Sequence, residues 1–315
     1  MPRYGPPDAF ATPRFSGPRT FMRLPHVRDL DGVDVAVVGI PADGAQVFRP
    51  GSRFGPEAIR SASVMLRTYN PILDVDVLER LSIVDFGDVG TVPGSTLDST
   101  ARSAAELGEV ARAGAVSLGL GGDHTVLLAE LRALAAVHGP LALVQLDAHH
   151  DVWHEYFGQQ LFHGSVVRRA VEEGLVDPAL SIQAGMRGSL SGKADVALPS
   201  ELGIDAIGYE ELAELGAAGF GERARARVGE AAAFLSFDVD FVDPAFAPGT
   251  GTPEVGGPSS REALAFVRAL TGVDFRGFDC VELSPAYDPS GVTAFLAANA
   301  CFEMLSLLAL RRSER

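Results

Sequence analysis

A parallel β-sheet of about eight strands, covered by helices on both faces, is the fold this sequence predicts. Three observations carry that expectation. Short apolar runs recur along the chain, and most are continuous rather than alternating, the mark of strands buried on both faces. Segments of helical character, rich in Ala, Leu, Arg and Glu, lie between many of them. A chain of 315 residues, 47% hydrophobic and only 21% charged, can bury a large core and falls outside the disordered class.

Residues 1 to about 32 are rich in Pro, Arg and Gly without a clear period, and read as an N-terminal arm or irregular cap. The strand-like runs follow: Val35 to Ile40, Leu81 to Val84, Val116 to Leu120, Leu141 to Leu146, Leu180 to Ala184, Ile204 to Ile207, Ala233 to Phe237, and Phe278 to Leu283. Helical segments include Ser99 to Arg112, Val126 to Val137 and Arg261 to Leu270. No sharp linker, internal repeat or low-complexity tract divides the chain. Gly/Pro-rich pieces such as PGTGTPEVGG are short enough to be active-site loops.

Net charge is -15 and the pI is near 4.8, which disfavours nucleic acid and anionic membranes as partners and mildly favours cationic ligands. Cys280 and Cys301 form no CxxC pair, so neither a zinc-thiolate site nor a disulfide framework is expected. The N-terminal MPRYGPPDAF has no apolar signal core, and no uninterrupted apolar stretch reaches about 18 residues, so a cytoplasmic protein is expected.

In an open parallel sheet, ligands bind beyond the carboxyl ends of the strands. Polar clusters stand at or near the ends of apolar runs there: GGDHT, DAHHD, DVD and the acid of VELSP. In GGDHT, Gly121 and Gly122 permit a tight turn before Asp123, His124 and a helix. A dinucleotide fingerprint fails, since GxGxxG from Gly119 would need glycine where His124 stands. Asp123 or Thr125 as a helix cap with an incidental histidine is the plain alternative. In DAHHD, an extended backbone puts Asp147, His149 and Asp151 on one face and His150 on the other. That is a divalent-metal pattern, and a solvated turn is hard to reconcile with three such groups converging at the end of a buried strand. In DVD, Asp238 and Asp240 raise each other's pKa unless a cation lies between them. Asp243, before Pro244, looks like a turn cap.

His124, Asp147, His149, Asp151, Asp238 and Asp240 make six candidate ligands, too many for one tetrahedral zinc and suited to two cations sharing carboxylates. Oxygen donors mixed with imidazole and no thiolate point to manganese, with nickel, cobalt, magnesium or iron as options. Six of the seven histidines fall between His124 and His163, which also favours a site; His138, before Gly139, is expected to be incidental.

GGDHT, DAHHD and SFDVDFVDPAFAPGTGTPEVGG together resemble the ureohydrolase (arginase-agmatinase) family, with FRPGSRFGPEAIR and VELSP in support. The resemblance runs from about Phe21 to the C-terminus. It implies a single three-layer α/β/α catalytic domain, here residues 33–315, with a mainly parallel sheet of about eight strands. It implies hydrolysis of a guanidino group to urea and an amine at two Mn2+ ions. His124, Asp147, Asp151 and Asp238 would hold one ion, and Asp147, His149, Asp238 and Asp240 the other, with Asp147 and Asp238 bridging. The cations would lower the pKa of a bridging water. Asp151 matches the proton relay, Glu282 the acid that pairs with the substrate guanidinium, and His163 the loop histidine that assists proton transfer or touches substrate. Trp153 and Tyr156 are candidate walls for the substrate tail. The family usually has Ser or Thr at His150, and His154 has no assigned role.

WHEYFGQQLFHGS and AGMRG resemble the agmatinase branch, so agmatine, cleaved to putrescine and urea, is the first substrate expected. Guanidinobutyrate, guanidinopropionate and other guanidino compounds are the alternatives. Arginine is disfavoured because the Asn and Ser pattern that holds its α-amino acid end is missing. A homo-oligomer, trimer or hexamer, is the implied assembly. Two readings from other classes are a single-zinc amide deacetylase on this fold, against which the six ligands argue, and a non-catalytic metal-binding homologue, which a missing ligand would have favoured.

Overall fold

The computed structural model describes residues 4–313. The first three residues of the expected arm and the last two of the expected catalytic domain lie outside them. Among the described residues there are ten strands: β1 (Val35–Ile40), β2 (Tyr69–Asn70), β3 (Val75–Asp76), β4 (Ile83–Asp88), β5 (Val116–Gly121), β6 (Ala142–Leu146), β7 (Ile182–Met186), β8 (Asp205–Gly208), β9 (Ala232–Asp238) and β10 (Asp274–Val281). β2 and β3 form a small antiparallel pair. The other eight form one sheet in the order β4-β1-β5-β10-β9-β6-β7-β8, parallel throughout.

Alternation along the strands divides the core into two faces. Val37, Leu118, Val144, Leu235 and Phe278 pack with Ile59, Phe220, Phe266 and Leu305, from helices Gly55–Ser63, Tyr209–Val228, Ser260–Arg268 and Val292–Ser313. The opposite face, with Val38, Leu143 and Phe234, meets helices Thr96–Arg112, Val126–His138 and Val166–Glu172. The result is the expected three-layer α/β/α architecture. Helix Val292–Ser313 contains a stretch long and apolar enough to cross a membrane, yet its Ala297, Cys301, Met304 and Leu305 are buried in the core.

All eight expected runs are strands of this sheet; Val35–Ile40 has the expected ends and the other seven are shifted. The run expected from Leu180 starts at Ile182, because Pro178–Leu180 is a 3-10 turn opened by Asp177, whose side chain accepts from Ala179 N. β10 starts at Asp274, four residues before the expected Phe278. Asp274, Arg276 and Gly277 interrupt the apolar pattern there, and Asp274 is tied to Arg276 and Arg311 at the sheet margin. Within the expected arm, Phe21, Met22 and Leu24 are buried. The Phe21 amide donates to Asp85 Oδ2 at 2.7 Å, and Arg60 grips the same carboxylate through Nε and Nη2 at 2.8 and 3.0 Å.

The connectivity explains where the polar clusters gather. The chain builds β5 and β6 with a gap between them, which β9 and β10 fill last. GGDHT, DAHHD, DVD and VELSP therefore leave the carboxyl ends of four neighbouring strands. The turn after β5 passes very close to β1: a Cβ on Gly122 would lie 2.2 Å from Ala42 O and 2.6 Å from Ile40 O. Gly122→Ala is expected to lose about 1–3 kcal/mol by overpacking, measured as a fall in urea midpoint at unchanged slope.

Candidate metal centre

His124 follows the glycine turn and is fully buried beneath the site. Its Nδ1 faces three carboxylate oxygens, Asp151 Oδ2 at 2.8 Å, Asp147 Oδ2 at 3.2 Å and Asp238 Oδ2 at 3.4 Å. None of them completes a hydrogen bond to Nδ1. A ring nitrogen aimed between carboxylates without a proton geometry is the arrangement a cation would fill. Asp147 turns its other oxygen, Oδ1, towards His149 Nδ1 at 3.6 Å, and His149 Nδ1 lies 3.0 Å from Asp240 Oδ2. Two donor sets result, His124 with Asp147 and Asp151, and Asp147 with His149 and Asp240. Asp147 belongs to both and presents one oxygen to each. Asp238 stands beside the first set, and its Oδ1 accepts the Asp240 amide at 2.8 Å.

All six candidate ligands thus come together, although DAHHD is not the extended strand that the alternation assumed. β6 ends at Leu146, the chain bends, and Asp151 has a positive φ of 51°. The Asp147 carboxylate accepts the His149 amide at 2.6 Å, and the Asp151 carbonyl accepts the amides of Val167 and Arg168. These bonds hold a left-handed residue that carries a cost of its own. His150 faces away, its Nδ1 accepting from Val152 N and its ring packed on Trp153. Asp123 does not cap the next helix. It accepts from the Thr125 amide and hydroxyl and from the Ala45 amide, which pins the neighbouring loop. Asp243 is the expected turn cap, accepting from Ala245, Gly256 and Gly257.

The charges fit divalent cations. Burial and the neighbouring Asp240 and Asp147 carboxylates push Asp238 well above the usual range. Burial and Asp147 raise Asp151 to about 6. Burial acts to raise Asp147 too, but the adjacent His124 and His149 rings hold it low. Burial acts to lower both histidines, yet the carboxylates around them raise both well above 6.5.

Above the donors opens a cavity of about 350 Å3, lined by His149, Asp151, Trp153, Glu155, Tyr156, Phe162, His163 and Thr252 among others. Glu282 is absent from this wall. It is buried behind it with a positive φ of 67°, its Oε1 accepting from His124 N at 2.8 Å and lying 3.1 Å from His163 Nδ1, its Oε2 accepting from Gln46 at 2.7 Å. Burial acts to lower His163, but the Glu282 carboxylate outweighs it and raises the ring to about 9. His154 has no place in either donor set or in the cavity wall.

Several supports were not foreseen. Gln46 reaches Glu282 from a distant loop. Arg187, inside the AGMRG piece, donates to the carbonyls of Asp240 and Glu254 at 2.8 Å and of Phe241 at 3.0 Å, and so ties the loop after Pro248 to the end of β9. Gln145 donates to Asp147 Oδ2 at 2.7 Å, and Ser236 Oγ lies 2.8 Å from His124 Nε2. Gln145 and Ser236 each precede an aspartate ligand by two positions inside an apolar run, and that spacing was the available signal.

Fold and site together define an α/β protein with a paired His/Asp metal cradle at the carboxyl edge of a parallel sheet. The arginase family model matches residues 33–306. The chain is 43% identical to a guanidinopropionase of Pseudomonas aeruginosa, covering 96% of each chain. It is 39% identical to a mitochondrial agmatinase of Gallus gallus, covering 96% of this chain and 89% of that one. The solved proclavaminate amidino hydrolase of Streptomyces clavuligerus superposes with a TM-score of 0.91 at 40% identity, over 95% of this chain and 99% of that one. The chain belongs to the arginase family.

Because carboxylates hold His124 and His149 protonated in the metal-free site, metal binding near neutral pH must expel protons. Metal affinity is therefore expected to rise with pH through the neutral range, and calorimetry in buffers of different ionisation enthalpy should register net proton release.

Proposed function

We propose that the protein hydrolyses the guanidino group of a small linear substrate to urea and an amine at two Mn2+ ions, with agmatine, giving putrescine, as first substrate. The observation that carries this reading is the double donor set sharing Asp147 beneath a narrow aromatic cavity. His124, Asp147, Asp151 and Asp238 would hold one ion, and Asp147, His149, Asp238 and Asp240 the other. When bound, the ions lower the pKa of a water and so make a nucleophile available near neutral pH.

The chain's own groups orient substrate and move protons. Asp151, in the cavity wall and 2.8 Å from His124 Nδ1, accepts the proton that the attacking water gives up. His163, also in the wall and backed by Glu282, delivers a proton to the departing amine. Glu282 pairs with the guanidinium through a charge-assisted hydrogen bond, for which the substrate must part the wall that buries this carboxylate. A carboxylate has about four acceptor sites, and three are taken by His124 N, His163 and Gln46. One site on Oε2 is left, so the contact is single rather than bidentate. Trp153 and Tyr156 wall the tail. Glu155 also lines the cavity, and the lining residues include no Lys or Arg. An ammonium tail such as agmatine's suits that wall better than a carboxylate tail does. The similarity to a guanidinopropionase favours the second reading, a guanidino acid as substrate.

Urea release with added manganese, over agmatine, guanidinobutyrate and guanidinopropionate, separates the two readings, and no urea from any guanidino compound with manganese, nickel or cobalt would exclude both. Glu282→Gln should cut turnover at least roughly tenfold, the worth of a charged hydrogen bond, with metal content unchanged. His149→Asn should exceed the roughly 10–100-fold loss typical of a ligand's outer partners, while His150→Ser, with its ring turned away, costs far less. Equal losses in folded proteins would mean that His150 serves the metals.

A further inference from the structure

Beneath the metal-facing side chains runs a row of polar residues, part of which the reaction does not use. Register places Gly119 of β5, Asp279 of β10, Ser236 of β9 and Gln145 of β6 side by side, so all four point to one face of the sheet. Ser236 and Gln145 meet His124 and Asp147 directly. The far end of the row is anomalous. Glu130 lies among apolar neighbours on the buried face of helix Val126–His138 and is fully buried, as is Asp279. Gly119 makes room for it, since a Cβ there would lie 2.2 Å from Glu130 Oε1. Neither Glu130 oxygen has a hydrogen-bond partner, and neither does Asp279 Oδ2. Buried acceptors are rarely left this way, and two dry carboxylates side by side cannot both ionise.

We propose that Glu130 is a neutral carboxylic acid that donates its proton to the Asp279 carboxylate, and that this acid pair fixes the His124 tautomer through Ser236. One proton between the two groups pairs one Glu130 oxygen with Asp279 Oδ2, two of the three oxygens that otherwise have no partner. Burial, then the charge of Asp279, drives Glu130 towards the protonated form. Burial acts to raise Asp279 too, but with the proton on Glu130 it stays the charged partner, accepting from Phe237 N at 3.3 Å, and register sets the Ser236 hydroxyl beside it on the same face, placed to donate as well. Ser236 Oγ, having given its proton to Asp279, can only accept from His124 Nε2. When a cation displaces the Nδ1 proton, His124 keeps its proton on Nε2 and turns the Nδ1 lone pair towards Asp147, Asp151 and Asp238. Without the Glu130 proton, Asp279 would take one itself and Ser236 could donate to Nε2 instead. That would put the proton on Nδ1, where the cation belongs. Glu130 is thus a positioning residue, two hydrogen bonds removed from the ligand.

This inference rests on the metal-centre reading, and the test separates the two. Infrared difference spectra of metal-free wild type minus Glu130→Gln at neutral pH should contain the C=O stretch of a buried carboxylic acid, apart from any contribution of Asp238, which is common to both proteins. That readout needs neither metal nor substrate. In equilibrium dialysis against manganese, Glu130→Gln should bind within about threefold of wild type, because its amide still donates to Asp279, while Glu130→Leu should bind about 10–100-fold more weakly. If Glu130→Leu does not fold, the Gln variant and the spectrum decide. A wild-type spectrum without a Glu130-dependent band, or a folded Glu130→Gln as impaired as Glu130→Leu, would overturn the proposal. The band together with a wild type that binds no divalent metal would leave the acid pair standing, but overturn its positioning role and the metal-centre reading with it.

Discussion

Four aspartates buried within reach of one another are the constraint on which the rest of the structure depends. Asp147, Asp151, Asp238 and Asp240 are all buried at the carboxyl edge of the sheet, where mutual repulsion and desolvation both oppose ionisation. Two divalent cations would balance four carboxylates. The fold brings them together by leaving a gap between β5 and β6 that β9 and β10 fill last. Strands distant in sequence become neighbours, and each delivers its polar residues at the same level.

Holding such a cluster takes more than strand ends. Asp151 and Glu282 both sit at positive φ, at 51° and 67°, conformations that survive only where the surroundings over-determine them. The Asp151 carbonyl is held by the next helix, and the Glu282 amide donates to Gly122 O at 2.9 Å. Below the site, Ser236 and Gln145 of the polar row meet the donor sets at His124 and Asp147. Gln183 extends the row, donating to Gln145 Oε1 and to His150 O, both at 2.6 Å. The strained backbone and the buried polar row belong to one arrangement, since each fixes donor atoms that a flexible loop would not.

Much of this was legible in the sequence. Continuous apolar runs located all eight strands of the main sheet, because strands buried on both faces carry no competing polar alternation. The six candidate ligands were legible because each is a charged or imidazole side chain at or within a few residues of the end of such a run. What escaped the pattern was turn geometry: DAHHD meets its partners through bends and a left-handed Asp151 rather than by alternation. Gln46 and Arg187 were hidden for a different reason. Both act through tertiary contacts across long sequence separations, Gln46 on Glu282 and Arg187 on the carbonyls of Asp240 and Glu254, and no local period marks such residues. Glu282 carried a recognisable motif, but not its burial behind the cavity wall.

The central claim is that one chain holds two cations on a shared Asp147. Elemental analysis of protein saturated with manganese and then freed of loose metal tests it most directly. The account predicts two ions per chain, about 3.5 Å apart in a metal-loaded structure. One ion per chain at saturation, or none, would contradict it.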